Sequence, residues 1–105
     1  MDIHRLIALI QESTCAVKIK PKGRRKPQEW SWVIEPVPNY IESGSGPWRF
    51  REVEYVEINP IKLERIGRLV APKKSNKTAS LEAALHEAGI PYVLLNNIFR
   101  VYFPA

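Results

Sequence analysis

Near the C-terminus two apolar runs, residues 92–95 and 98–103, are separated by Asn96 and Asn97 alone. A two-residue connection joins antiparallel strands through a primed turn, and asparagine tolerates the positive φ that a type I′ turn demands. The segment therefore predicts a β-hairpin with Leu95 opposite Ile98. Side chains alternate along a strand, so Tyr92, Leu94, Phe99, Val101 and Phe103 share one face. The other face carries Val93, Leu95, Ile98, Arg100 and Tyr102 and is also largely apolar. A hairpin apolar on both sides needs cover on both sides or a second chain. Val93, Leu95, Ile98 and Tyr102 are thus the candidate homodimer interface.

At the other end, Ile3, Leu6, Ile7 and Ile10 recur at the spacing of one helix face, with Asp2 as N-cap. This predicts a first helix over residues 2–12. From Cys15 the period changes to two, with Cys15, Val17 and Ile19 inward and Ala16, Lys18 and Lys20 outward. Residues 29–35 form the second predicted strand, with Trp30, Trp32 and Ile34 on one side. The two strands read as a hairpin joined by a basic loop, residues 21–28. Residues 36–47 hold three prolines and Ser43-Gly44-Ser45-Gly46, the composition of a long mobile loop. A third strand spans 48–58 with imperfect alternation, which a bulge near Arg51 and Glu52 or burial of both faces would explain.

Asn59-Pro60 is a helix-start signal, and Leu63, Ile66 and Val70 give that second helix an inner face until Pro72. A third helix, residues 81–88, is capped by Thr78 or Ser80, buries Leu81, Ala84, Leu85 and Ala88, and ends at Gly89. The order α-β-β-β-α-α-β-β predicts a single α+β domain over residues 1–105. Its expected architecture is a mostly antiparallel sheet of about five strands with helices packed on one face. From residue 59 onward, helix, turn, helix and hairpin are similar in outline to a winged helix. Against that reading, the would-be recognition helix exposes Glu82, His86 and Glu87, and the hairpin tip is not basic.

The formal net charge of +5 is unevenly placed. Lys18, Lys20, Lys22, Arg24, Arg25 and Lys26 fall within nine residues that contain no acid. A loop so dense in cations suits a phosphate backbone, where each contact releases a condensed counterion. Arg65, Arg68 and Lys74 are secondary candidates, and an aromatic from Trp30, Trp48 or Tyr40 would stack on a base. The alternation of Trp30 and Trp32 at strand spacing argues instead that both belong to the core. Around Thr78 and Ser80, hydroxyls beside Lys74 and Lys77 resemble an anion site, although helix capping accounts for the same residue types.

Catalysis finds little support. Cys15 sits at an inward strand position, and His4 and His86 lie on separate helices without ligand-spaced partners. Glu52, Glu54 and Glu57 cluster along one strand and would hold a divalent cation in a metal-dependent nuclease. Pairing of these acids with Lys18, Lys20 or arginines is the simpler account. No cofactor and no metal is expected. No stretch approaches the roughly 18 apolar residues of a membrane span, and the single cysteine suits a reducing compartment. The sequence thus predicts a cytoplasmic, non-catalytic, sequence-tolerant nucleic-acid-binding module, with a homodimeric protein-interaction module as the alternative.

Overall fold

The first helix forms where its cap and its stripe agree. The Asp2 carboxylate accepts a hydrogen bond from the Arg5 amide at 3.1 Å, and Leu6, Ile7 and Ile10 are buried on one face. Thr14, at φ +56°, ends the helix with its amide bonded to the Gln11 carbonyl. The structure, a computed structural model, describes residues 1–37, 40–43, 46–64 and 73–104. In chain order it holds α1 (Ile3–Ser13), β1 (Ala16–Pro21), β2 (Val33–Val37), β3 (Tyr40–Ser43) and β4 (Gly46–Arg49). A 3₁₀ turn (Phe50–Glu52), β5 (Val53–Asn59), β6 (Ile61–Glu64) and β7 (Lys73–Asn76) follow. The chain continues through α2 (Thr78–Glu87), β8 (Val93–Leu95) and β9 (Ile98–Tyr102).

The α+β class and the antiparallel pairing agree with expectation, and the C-terminal hairpin does so in detail. Asn96 and Asn97 both have positive φ, +50° and +64°, and Leu95 pairs with Ile98. The main sheet has the order β1-β5-β9-β8, every pair antiparallel. Its register aligns Val17 with Ile58 and Phe99, and Ile19 with Val56 and Val101. These rows join Leu6, Ile7 and Ile10 of α1 and Leu81 and Leu85 of α2 in one buried cluster. Area removed from water at about 25 cal/mol per Å² makes such a cluster the main source of stability.

Three expectations are corrected. First, residues 29–32 form no strand; only Ser31 bridges to Val17, through backbone bonds of 2.7 and 2.8 Å. Ser31 faces inward, while Trp30 is half-buried and Trp32 is 60% exposed, the reverse of the predicted parity. Ser31, a small residue, lies against β1. The Ser31 hydroxyl has no hydrogen-bond partner among the described residues.

Second, the segment expected to be a mobile loop forms a three-stranded meander of order β2-β3-β4. Pro36 lies on β2 and Pro47 on β4, the two outer strands, where a missing amide leaves no ladder bond unmade on the free side. Ser43 pairs with Gly46 across the serine-glycine tract. The expected third strand is divided by the 3₁₀ turn, and this break explains its imperfect alternation.

Third, residues 61–64 are extended where a helix was expected. Ile61-Lys62-Leu63-Glu64 also alternates with period two, and β6 pairs with β7 from Ile61↔Asn76 to Glu64↔Lys73. The Asn59 side chain accepts from the Ile61 amide at 3.0 Å, which turns the chain at buried Pro60 instead of starting a helix. The Lys77 amide closes the ladder on the Pro60 carbonyl at 2.8 Å. With β6 extended, the winged-helix outline lacks the helix start expected at residue 59. The remainder of the predicted helix, residues 65–72, lies outside the described residues. Lys77, and not Thr78 or Ser80, holds the N-cap position of α2, and Asn76 just before it satisfies the first helical amide: its Oδ1 accepts from the Thr78 amide at 2.9 Å and the Thr78 hydroxyl at 2.6 Å.

Candidate nucleic-acid interface

The basic loop leaves β1 at buried Pro21 and is pinned at both ends. The Lys22 amide bonds the Glu52 carbonyl at 2.8 Å, and the Gln28 amide bonds the Ile19 carbonyl at 2.8 Å. Gly23, at φ +79°, supplies a left-handed turn that side chains rarely adopt. Between these ties Lys22, Arg24, Arg25 and Lys26 are all exposed. The Arg24 guanidinium lies over the Trp48 ring, 5.5 Å from its centroid, so the middle of the loop rests on β4. Trp48 itself is half-buried and packs against the core.

The two lysines preceding the loop are placed differently. The Lys18 ammonium sits 4.8 Å above the Trp30 ring. Lys20 is 8% exposed, with Nζ bonded to Glu54 Oε2 at 3.0 Å and to the Pro21 carbonyl at 3.0 Å. Lys20 pairs with Tyr55 across the sheet, and the register shifts at the next residue, Pro21. Lys20 is therefore spent inside the fold and leaves the exposed row. Lys74 is exposed on β7, whereas Arg65 and Arg68 lie outside the described residues. At the start of α2, Asn76 Oδ1 takes up both the amide and the hydroxyl of Thr78, so that hydroxyl is already engaged within the chain.

Beside the basic loop is a cleft of about 420 Å³ lined by Tyr40, Arg49, Phe50 and Arg51. Tyr40 and Arg49 are cross-strand partners, and the Arg49 guanidinium stands 5.8 Å from the Tyr40 ring centroid. Phe50 is held by edge contacts to Phe103 at 6.2 Å and His4 at 5.4 Å. Tyr40 and Phe50 are aromatic side chains near basic residues in the sequence, but only strand pairing and the 3₁₀ turn bring them together with Arg49 and Arg51.

Each acid of the suspected cluster is engaged by a cation. Glu54 pairs with Lys20 at 3.0 Å, Glu57 with Arg100 at 3.1 Å, and Glu52 with Arg49 at 3.8 Å. Among the described residues no group of three His, Cys, Asp or Glu side chains is arranged to hold a metal ion. Cys15 is buried, and no described helix is long and apolar enough to cross a membrane.

The sequence matches the model of a protein family over residues 9–103, from the middle of α1 through β9. The chain belongs to the DUF6678 family, a family of unknown function. No curated protein and no solved structure matches it. The matched span of this DUF6678 chain includes the basic loop, the cleft and the C-terminal hairpin.

On the outer face of the main sheet, Glu57 accepts from Arg100 Nη2 at 3.1 Å, and Arg100 Nη1 bonds the Tyr102 hydroxyl at 3.2 Å. The same guanidinium lies 4.2 Å from the Tyr55 ring centroid. The Tyr102 hydroxyl, and then the Glu57 carboxylate, raise the Arg100 pKa against the opposing effect of burial. Beyond this ladder Val93, Leu95 and Tyr102 are 45%, 39% and 51% exposed, and Ile98 is half-buried. Leu94 is exposed too, although the alternation assigns it to the inner face; β8 is the sheet's outermost strand.

A separate polar group joins α2 to the start of the hairpin. The Tyr92 hydroxyl lies 3.3 Å from Glu82 Oε1 and 3.3 Å from His86 Nε2. Burial first, and then the Glu82 charge and hydrogen bond, push the Tyr92 phenol above its ordinary value of 10.0. The folded state thus holds this proton more tightly than the unfolded chain. Its stabilising contribution is present below pH 10 and is lost as pH rises through the raised value. Glu82→Gln is expected to lower the phenol's titration midpoint, followed by phenolate absorbance against a Tyr92→Phe control. The midpoint should stay above that of free tyrosine, because burial remains.

Proposed function

We propose that this chain is a sequence-tolerant nucleic-acid-binding module without a catalytic step, working in the reducing environment of the cytoplasm. The observation that carries the reading is the basic loop: Lys22, Arg24, Arg25 and Lys26 are exposed together, and no acid interrupts the run from Lys18. Four cations on a tethered loop match the repeating charge of a phosphate backbone, and backbone contact carries no base preference. Arg24 is pre-positioned by its ring partner, which lowers the ordering entropy lost on binding. Lys18, Lys74, Arg65 and Arg68 are the secondary contacts of this reading, and Trp30 and Trp48 hold Lys18 and Arg24 from beneath. Fluorescence anisotropy with labelled single- and double-stranded oligonucleotides at two salt concentrations tests it. Binding at micromolar or tighter levels that weakens steeply with salt is the expected result. Absence of binding at low salt demotes the loop to a solvated surface.

A second reading, self-association, is favoured by β8. All three of its residues are apolar and exposed, and among the described residues no strand pairs with its outer edge. Such an edge is a template for another strand, and β8 carries no charge to discourage pairing. A homodimer through Val93, Leu95, Ile98 and Tyr102 would cover it. Joint replacement Val93→Glu and Ile98→Glu is then expected to halve the sedimentation mass and to leave oligonucleotide affinity per chain unchanged. An unshifted mass removes the dimer reading.

A further inference from the structure

The cleft of Tyr40, Arg49, Phe50 and Arg51 is a second site beside the basic loop. We propose that it takes an unpaired base, so that the nucleic acid tracked by the loop is a single strand. This inference rests on the phosphate-binding reading of the loop. The two are joined by contacts on either side of the cleft-lining segment. Lys22 is tied to the Glu52 carbonyl, and Arg24 lies over Trp48, so the loop runs alongside residues 49–51. A strand whose phosphates follow the loop passes the mouth of the cleft.

The lining has the chemistry that a nucleotide requires. Tyr40 and Phe50 present ring faces or edges, and every base has a π-face, so stacking is tolerant of sequence. Arg49 and Arg51 supply guanidinium groups that bind phosphate oxygens or stack on a base in turn. At about 420 Å³ the space lies within the range of small-ligand pockets. Phe50 is braced by Phe103 and His4, so one wall is preformed. Among the described residues, Glu52 is the carboxylate paired with a lining side chain, Arg49, at 3.8 Å with both side chains about half exposed. Such a long, screened pair opens at little cost. A base inside a duplex is stacked on its neighbours and cannot enter, which is why the cleft selects single strands.

Tyr40→Ala tests the proposal, because Tyr40 is a rim residue 36% exposed and its loss should leave the melting temperature unchanged. Loss of one stacking partner should weaken binding of a labelled single-stranded oligonucleotide by roughly 5- to 150-fold. A duplex of equal length should be affected by less than about twofold, since its contacts are to phosphates alone. Tyr40→Phe keeps the ring and should bind as the parent does. Equal losses for both oligonucleotides, or none for either, overturn the cleft and leave the basic loop standing. Tighter Tyr40-dependent binding of adenosine monophosphate than of the single strand also overturns it, since the ligand is then a free nucleotide. If the unaltered protein binds neither oligonucleotide, the reading of the loop falls and the cleft proposal with it.

Discussion

Replacing Lys22, Arg24, Arg25 and Lys26 together with alanine is expected to weaken nucleic-acid binding by about 10²–10³-fold near 0.1 M salt. The argument is electrostatic. Each cation that neutralises a phosphate releases a fraction of a counterion, so the salt dependence counts the contacts. Loss of four should reduce the slope of log K against log salt by about 3.6 for a duplex and about 2.8 for a single strand. All four side chains are exposed and the backbone ties of the loop do not involve them, so the fold should survive. The stack of Arg24 on Trp48 is lost as well, at a cost of about 0.5–1 kcal/mol for an exposed cation–π pair. Anisotropy titrations at several salt concentrations, with sedimentation as the control for assembly, measure both quantities. A variant that binds with an unchanged slope places the phosphate contacts elsewhere on the molecule.

The second large effect concerns stability. Phe99 is fully buried on β9, in line with Ile58 and Val17, and meets the Tyr92 ring edge-on at 5.1 Å. Phe99→Ala removes a ring from the centre of the sheet and leaves a cavity, a change that typically costs 3–5 kcal/mol, or about 4 kcal/mol here. Domains of this size have roughly 5–15 kcal/mol in total, so thermal denaturation should show a melting temperature lower by at least about 12 °C. Tyr102 lies on the opposite side of the same strand and is 51% exposed. Tyr102→Ala should cost about 1 kcal/mol, the worth of its aromatic contact with Tyr55. Comparable losses at the two positions would mean that the outer face is as tightly packed as the inner one, as in a dimer that covers it.

The candidate site was legible only in part. The exposed cations needed no structure to find, because a run of like charge without acids cannot be buried. Lys20 shows the limit of that inference: a glutamate and a backbone carbonyl hold its ammonium in a buried position. The cleft was invisible in the sequence. Tyr40 and Arg49 are nine positions apart and meet only because β3 and β4 pair, while Phe50 and Arg51 are turned toward them by three residues of 3₁₀ geometry. Glu52, Glu54 and Glu57 read as a cluster in the chain, yet each pairs with a different cation from a different segment.

The sequence by itself determined the elements whose signals are local and mutually consistent. Asp2 with its helical stripe set α1, and the Asn96-Asn97 turn set the register of β8 on β9 because two residues allow few geometries. Alternation from Cys15 set which side of β1 faces inward. Tertiary structure decided the segments that satisfy two patterns at once. Residues 61–64 suit a helix or a strand, and pairing with β7 selected the strand. The tryptophans at 30 and 32 suit either face of a strand, and the close approach of Ser31 to Val17 turned both away from the core. Residues 36–47 have the composition of a loop, yet Pro36, Gly46 and Pro47 lie on the outer strands of a sheet. In each case the local free-energy difference is small, and the partner that buries surface or completes a hydrogen-bond ladder decides the outcome.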